Sequence, residues 1–194
     1  MIIGISGKAE SGKDTAAKML EILYANPKIS FEDFSNKKYN KFADIQTVHF
    51  ADSLKEAAQV LFSIGEWETN TQEGKKKTIN WIGKTVRELL QGVGQGLRNA
   101  IDPDLWVKIL FANTSEFFTN FIIADVRYPN EVNAIKEREG LLIRIDRNSA
   151  GAGNHDSEIA LDTYIDWDYY IENNGSLEEL FEAIRIFVNN HPID

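Results

Sequence analysis

The sequence predicts an α/β fold built on a parallel, doubly wound sheet. Three observations lead there. Met1 to Ser6 is a short apolar run that passes through a glycine-containing turn into the amphipathic stretch Thr15–Tyr24, a strand–loop–helix unit. Phe121-Ile122-Ile123-Ala124-Asp125-Val126 is almost continuously apolar, as a strand covered on both faces must be. Between and after these, short apolar runs alternate with helical periodicity, the order that places helices on both sides of a parallel sheet.

The first turn carries the strongest signal. Gly7-Lys8-Ala9-Glu10-Ser11-Gly12-Lys13 has the Gly-x4-Gly-Lys spacing of a phosphate-binding loop in its required strand–loop–helix setting. Gly7 and Gly12 allow backbone angles and close approaches that a Cβ would block. Inward-turned N–H groups and the positive end of the helix then hold an anion, and Lys13 adds its ammonium. One position departs from the common pattern: Asp14, not a hydroxyl residue, follows the lysine, with Thr15 next. A carboxylate is a good ligand for a hard cation, so a Mg2+ role survives with altered geometry. Glu10 is expected to point away from the phosphates. The chain binds a nucleotide phosphate on this reading.

The remaining elements follow in order. Asn26–Gln46 is polar, with a basic run at Asn36–Lys41, and reads as a surface insertion with a short helix. Thr47–Ala51 is a strand ending at Asp52, and Ser53–Ile64 has helical spacing. Glu66–Lys77, rich in glycine and charge, is expected to be a mobile loop. Helical periodicity runs from Thr78 to Leu97, interrupted by Gly92, Gly94 and Gly96. Asp102-Pro103 opens another helix as N-cap and first turn. After the strand at 121–126 come a helix at Asn130–Glu139 stopped by Gly140, a strand at Leu141–Ile145 and a loop at Asp146–Asp162. Asp168–Ile171 is the last strand, Asn173-Asn174-Gly175 a turn, and Ser176–Glu179 a capping box for the final helix.

Composition narrows the function. At 194 residues the chain suits one α/β domain with insertions. A net charge of -9 argues against a nucleic-acid-coating protein, and zero cysteines exclude disulfides, thiol nucleophiles and Cys-based metal sites. No apolar run is long enough for a membrane span and no leader pattern is visible, so a cytoplasmic protein without nucleic-acid or membrane partners is expected.

Ligands of such sheets bind at the C-terminal strand ends. That rule gathers Gly7–Thr15, Asp52, Asp125–Arg127, Arg144–Arg147 and Asn173–Gly175 on one rim. Phosphoryl transfer needs charge neutralisation more than covalent chemistry. Asp125 is placed to hold Mg2+ through water or to accept from a loop hydroxyl, the alternative being a turn cap. Arg127, Arg144 and Arg147 suit clamping of phosphoryl oxygens. Arg87, Gln91, Gln95 and Arg98 are spaced to share one helical face; guanidinium groups there fit phosphate and carboxamides fit a nucleobase edge, the alternative being a solvated face. His155 with Glu158 has no paired ligand spacing, so metal binding is not expected there.

Gly7–Thr15, His49-Phe50-Ala51-Asp52-Ser53-Leu54-Lys55 and Thr85–Gln91 together resemble the deoxynucleoside monophosphate kinases of tailed bacteriophages. Asp102–Val107, Asp125-Val126-Arg127-Tyr128-Pro129-Asn130-Glu131 and His155-x-Ser157-Glu158 extend the resemblance from Ile2 to about Leu180. It implies the three-layer P-loop kinase fold: one domain with a parallel five-stranded sheet, a core at 1–52 and 100–194, a monophosphate-binding insertion at 53–99 and a lid at about 147–160. It implies ATP with Mg2+ as donor and a deoxynucleoside monophosphate as acceptor, converted to the diphosphate. On this sequence, Gly7, Lys8, Ser11, Gly12, Lys13, Asp14 and Thr15 would hold the donor phosphates, with Asn174 and Gly175 near the adenine. Asp14 and Asp125 would serve the metal. Lys13, Asp125, Arg127, Arg144 and Arg147 would act at the transfer centre and lid, and Asp52, Lys55, Arg87, Gln91, Gln95, Arg98 and Arg127 at the acceptor. Small nucleotides are the implied partners, a homodimer is compatible, and a phage-encoded chain would work in the host cytoplasm. The rival readings are a phosphomevalonate-type kinase of the same fold and a nucleotide-binding regulator without an acceptor.

Overall fold

The computed structural model describes residues 1–39, 45–114, 119–148 and 159–193. In chain order the elements are β1 (Ile2–Ser6), α1 (Lys13–Ala25), α2 (Phe31–Ser35), β2 (Gln46–Val48), α3 (Asp52–Phe62), α4 (Glu66–Asn70), α5 (Gln72–Lys76), β3 (Thr78–Ile79) and β4 (Lys84–Thr85). They continue as α6 (Val86–Ala100), α7 (Leu105–Thr114), β5 (Phe121–Val126), α8 (Pro129–Lys136), β6 (Leu141–Asp146), β7 (Tyr169–Glu172) and α9 (Leu177–Asn190). The chain divides into two compact units, Met1–His49 with Ser115–Asp194, and Phe50–Thr114. Residues 53–99 belong to the second.

The first unit is the expected α/β fold. Five strands form one sheet in the order β2-β5-β1-β6-β7, with every described pairing parallel. Side chains alternate across a strand. Ile3, Ile5, Ile122, Ala124, Ile143, Ile145 and Ile171 therefore face one way, where Ala16, Leu20 and Leu23 of α1 and Leu180, Phe181, Ile184 and Phe187 of α9 complete a core. The opposite face takes α8: a Cβ on Gly4 would stand 2.6 Å from Ile135 Cδ1, so the bare glycine lets that helix seat against β1. Helices thus cover both faces, and the phosphate loop leaves the C-terminal end of the central strand. The capping box forms as read, with Glu179 N–H donating to Ser176 Oγ and Ser176 N–H to Glu179 Oε2.

The second unit departs from expectation in two places. Residues 66–77 are not a loop but α4 and α5, because Thr71 caps α5 through Gly74 N–H at 2.9 Å and its hydroxyl donates to the Trp67 carbonyl at 2.8 Å. Thr78–Thr85 is not helical but a β3–β4 hairpin, with Thr78 opposite Thr85 and Ile79 opposite Lys84. Ile79, Ile82, Val86 and Leu89 imitate helical spacing, yet Gly83 turns the chain at φ +70°. Thr85 and Glu88 then form a capping box that starts α6 at Val86. That helix runs unbroken through Gly92, Gly94 and Gly96, and Trp106 Nε1 donates to the Gly94 carbonyl at 3.1 Å. β2 also stops at Val48, short of Ala51, so Asp52 opens α3 and does not end a strand. His155, Ser157, Glu158 and most of the expected lid at 147–160 lie outside the described residues.

Candidate active site

The loop at Gly7–Gly12 is shaped by what surrounds it. A Cβ at Gly7 would stand 2.3 Å from the Ile145 carbonyl oxygen and 2.5 Å from Ser11 Oγ, so only glycine lets the loop lie against the end of β6. Gly12 has φ +102°, in the region that favours glycine, and a Cβ there would meet Asn173 Nδ2 at 2.5 Å. Lys13, at 7% exposure, folds back so that its ammonium donates to the Gly7 and Lys8 carbonyls at 2.7 and 2.6 Å. Ser11 is wholly buried, and its Oγ has no hydrogen-bond partner among the described residues. A buried hydroxyl without a partner and a buried ammonium in one glycine-containing turn are groups whose chemistry suits an anion's oxygens.

The carboxylates divide in role. Glu10 is exposed, with a left-handed backbone at φ +66°. Asp14 lies in the first turn of α1 with its side chain 89% exposed, 3.9 Å from His49 Nε2. Asp125 is half-buried where β5 carries Ala124 and Asp125 against one residue of β1, a bulge between the Gly4–Ile123 and Ser6–Val126 pairs. Bulges re-aim side chains beside functional sites. Among the described residues no three His, Cys, Asp or Glu side chains gather to hold a metal. One or two carboxylates at the loop mouth suit Mg2+, which keeps waters and takes substrate phosphate oxygens as its other ligands.

The basic residues of the first unit separate on inspection. Arg127 is half-buried just past β5, where its backbone N–H and that of Tyr128 donate to the buried Glu131 Oε2 at 2.7 and 3.0 Å. Arg144 lies within β6, one turn of the pleat before its end, and is 8% exposed. Its Nε donates to Asp146 Oδ1 at 2.7 Å, and its guanidinium lies 5.6 Å from the centre of the Trp167 ring. Tyr170 donates to the other Asp146 oxygen at 2.7 Å, a bond that pushes the tyrosine pKa up. Arg144 is built into the sheet face and does not end the strand. Arg147, past the strand, is exposed. Lys8 pairs with Asp162 at 3.0 Å.

The turn after β7 does more than sequence reasoning assigned to it. Asn174 and Gly175 are exposed, and Asn174 Oδ1 accepts from Asn148 N–H at 2.8 Å. The neighbouring Asn173 is buried and reaches the phosphate loop itself, Nδ2 donating to the Ser11 carbonyl at 2.8 Å. The Asn-Asn-Gly turn at the C-terminal end of a parallel strand was the available signal.

In the second unit Lys55 donates to Asp52 Oδ1 at 3.2 Å, one turn apart on α3. Arg87, Gln91, Gln95 and Arg98 all lie on α6, Arg87 exposed and the others half-buried. Arg87 Nη2 donates to Gln72 Oε1 at 2.7 Å, and Gln95 Nε2 to Asn99 Oδ1 at 2.9 Å.

Comparison with known proteins follows the same direction. The profile of the deoxynucleotide monophosphate kinase family matches residues 28–184. This chain belongs to that family. A relative from Acanthamoeba polyphaga mimivirus that carries the family's name is 31% identical over 206 residues, covering 98% of this chain and 97% of its own. The deoxynucleotide monophosphate kinases of Escherichia phage RB69 and Enterobacteria phage T4 are 28% and 32% identical, over 58% and 52% of this chain. Those matches span 49% and 44% of the phage proteins. Membership of a kinase family implies ATP as phosphate donor, and it selects the nucleotide reading over the phosphomevalonate-type one. No helix among the described residues is long and apolar enough to cross a membrane.

Proposed function

We propose that the protein transfers the γ-phosphoryl group of ATP to a deoxynucleoside monophosphate, giving ADP and the deoxynucleoside diphosphate. The pre-shaped phosphate loop carries the reading: buried Lys13, buried Ser11 and two glycines whose Cβ positions neighbouring atoms already crowd. Its family sets the acceptor class.

Mg2+ bound with ATP would supply charge neutralisation at the donor phosphates, with Asp14 and Asp125 as its protein contacts. Lys13 leaves the Gly7 and Lys8 carbonyls for the β- and γ-phosphates. Arg127 and Arg147 neutralise oxygens of the group in flight, and Arg144 keeps the β6 end in place beneath them. Lys55, Arg87 and Arg98 bind the acceptor phosphate, while Gln91 and Gln95 present carboxamides to its base. Asp52 orients Lys55. Thr15 and Lys8 complete the donor contacts, and Asn174 and Gly175 border the adenine. A phosphate monoester is already anionic at neutral pH, so in-line attack needs no strong general base. The organisation proposed is one kinase domain whose insertion at 53–99 recognises the monophosphate and whose segment at 147–160 closes over it, acting in the cytoplasm.

The test is incubation with ATP·Mg2+ and each deoxynucleoside monophosphate in turn, with phosphomevalonate and no-acceptor controls, and chromatography of the products. Diphosphate from at least one deoxynucleotide supports the proposal. ATP loss independent of acceptor replaces it with a hydrolase.

A further inference from the structure

We infer that Asn173 is a positioning residue for the donor phosphates, aiming the Gly12 N–H into the phosphate cradle by holding the Ser11 carbonyl. The inference deepens the kinase reading and rests on its donor site.

The carbonyl and N–H of a trans peptide point in opposite directions across one plane. Asn173 Nδ2 fixes the Ser11 carbonyl on its own side at 2.8 Å. The N–H of Gly12, the other end of that peptide, must then face away from Asn173. The same carboxamide fills the space where a Gly12 Cβ would go, 2.5 Å away, so the two residues are fitted to each other.

Asn173 is itself fixed. It is 8% exposed, and its backbone N–H donates to the Asp146 carbonyl at 2.7 Å, tying the turn to the end of β6. The loop is thus braced from outside by a strand end distant in sequence, while Lys13 braces it from inside. Ser11 joins the two: its carbonyl is taken by Asn173 and its buried hydroxyl is left without a partner. Without the Asn173 bond the Ser11 carbonyl loses its donor, and the Ser11–Gly12 peptide is free to turn towards another. Misplacement by about 1 Å at a positioning group costs up to about 10²-fold in rate.

The experiment compares wild type with Asn173→Leu, which keeps the shape and removes the donor without adding charge. Asn173→Ser, too short to reach Ser11, is the second variant should the leucine protein fail to fold. Isothermal titration with ADP·Mg2+ reads donor-site affinity without turnover, and steady-state kinetics separate the two substrates. ADP affinity and kcat/KM for ATP are expected to fall about tenfold or more, while KM for the deoxynucleotide stays within about twofold. A purely structural role would lower the melting temperature and change both KM values together. A folded variant whose ADP affinity stays within about twofold of wild type overturns the inference. Wild type that binds ADP but makes no diphosphate, with binding still lost in the variants, overturns the kinase reading and leaves the role of Asn173 intact.

Discussion

Lys13 and Arg87 end in opposite surroundings. Lys13 is buried, its ammonium between the Gly7 and Lys8 carbonyls of its own loop. Arg87 is exposed, its guanidinium on the Gln72 carboxamide of another helix. The first arrangement is written into a few consecutive residues, and backbone atoms supply the partners. The second depends on where α5 and α6 happen to pack, and on side chains that water can replace. On the proposed reading, a donor site made of backbone would be rigid and specific in sequence, whereas an acceptor face made of exposed side chains would be adjustable.

The widest expected contrast is between these two residues. Lys13→Ala should lower kcat by about 10²–10³-fold, the effect of losing a donor that stabilises transition-state charge. Unchanged turnover would remove the loop from the mechanism. Gly7→Ala should destabilise the fold by about 1–3 kcal/mol through overpacking, because the new methyl meets the fixed Ile145 carbonyl. Thermal melts give that number, and an unshifted transition would mean the loop yields where it is read here as rigid. Arg87→Ala should raise KM for the deoxynucleotide by about tenfold, the worth of a charged hydrogen bond, and leave KM for ATP alone. Equal changes in both would erase the distinction between the regions.

Acid should separate the units more gently. The Lys77 ammonium holds Glu68 below its ordinary pKa, the Thr85 N–H does so for Glu88, and the Lys108 ammonium for Asp102. A carboxylate depressed by folding stabilises above its unfolded pKa and loses that contribution as pH falls through the folded value. Hydrogen-exchange protection at 65–108 should therefore fall below about pH 4, before that of β1. Simultaneous opening would show that these surface pairs contribute nothing to the local order.

Much of the first unit was legible because its signals are local. The phosphate loop, the apolar run at 121–126 and the Ser176–Glu179 box each specify their structure within a few residues. Misreadings arose where two periods agree with one pattern. Ile79, Ile82, Val86 and Leu89 suit a helix, and only the φ +70° at Gly83 makes the first part a hairpin. Charge in 66–77 suggested a loop because caps such as Thr71 weigh less in composition than Lys75-Lys76-Lys77. Asn173 was legible as a turn but not as a brace, since its partner Ser11, 2.8 Å away in the fold, lies 162 positions away in the chain. The Trp167 ring near the Arg144 guanidinium and its bond to Asp146 were not legible from the strand pattern alone.

The lysine folded onto its own loop has a consequence for what the protein ignores. An incoming anion must compete with two carbonyl oxygens for the ammonium. Chloride or a single carboxylate replaces those contacts at best one for one. A polyphosphate brings several oxygens and more than one charge, and also meets the idle hydroxyl of Ser11. On the proposed kinase reading the loop would then set a threshold, one that nucleoside di- and triphosphates would clear and the abundant small anions of the cell would not.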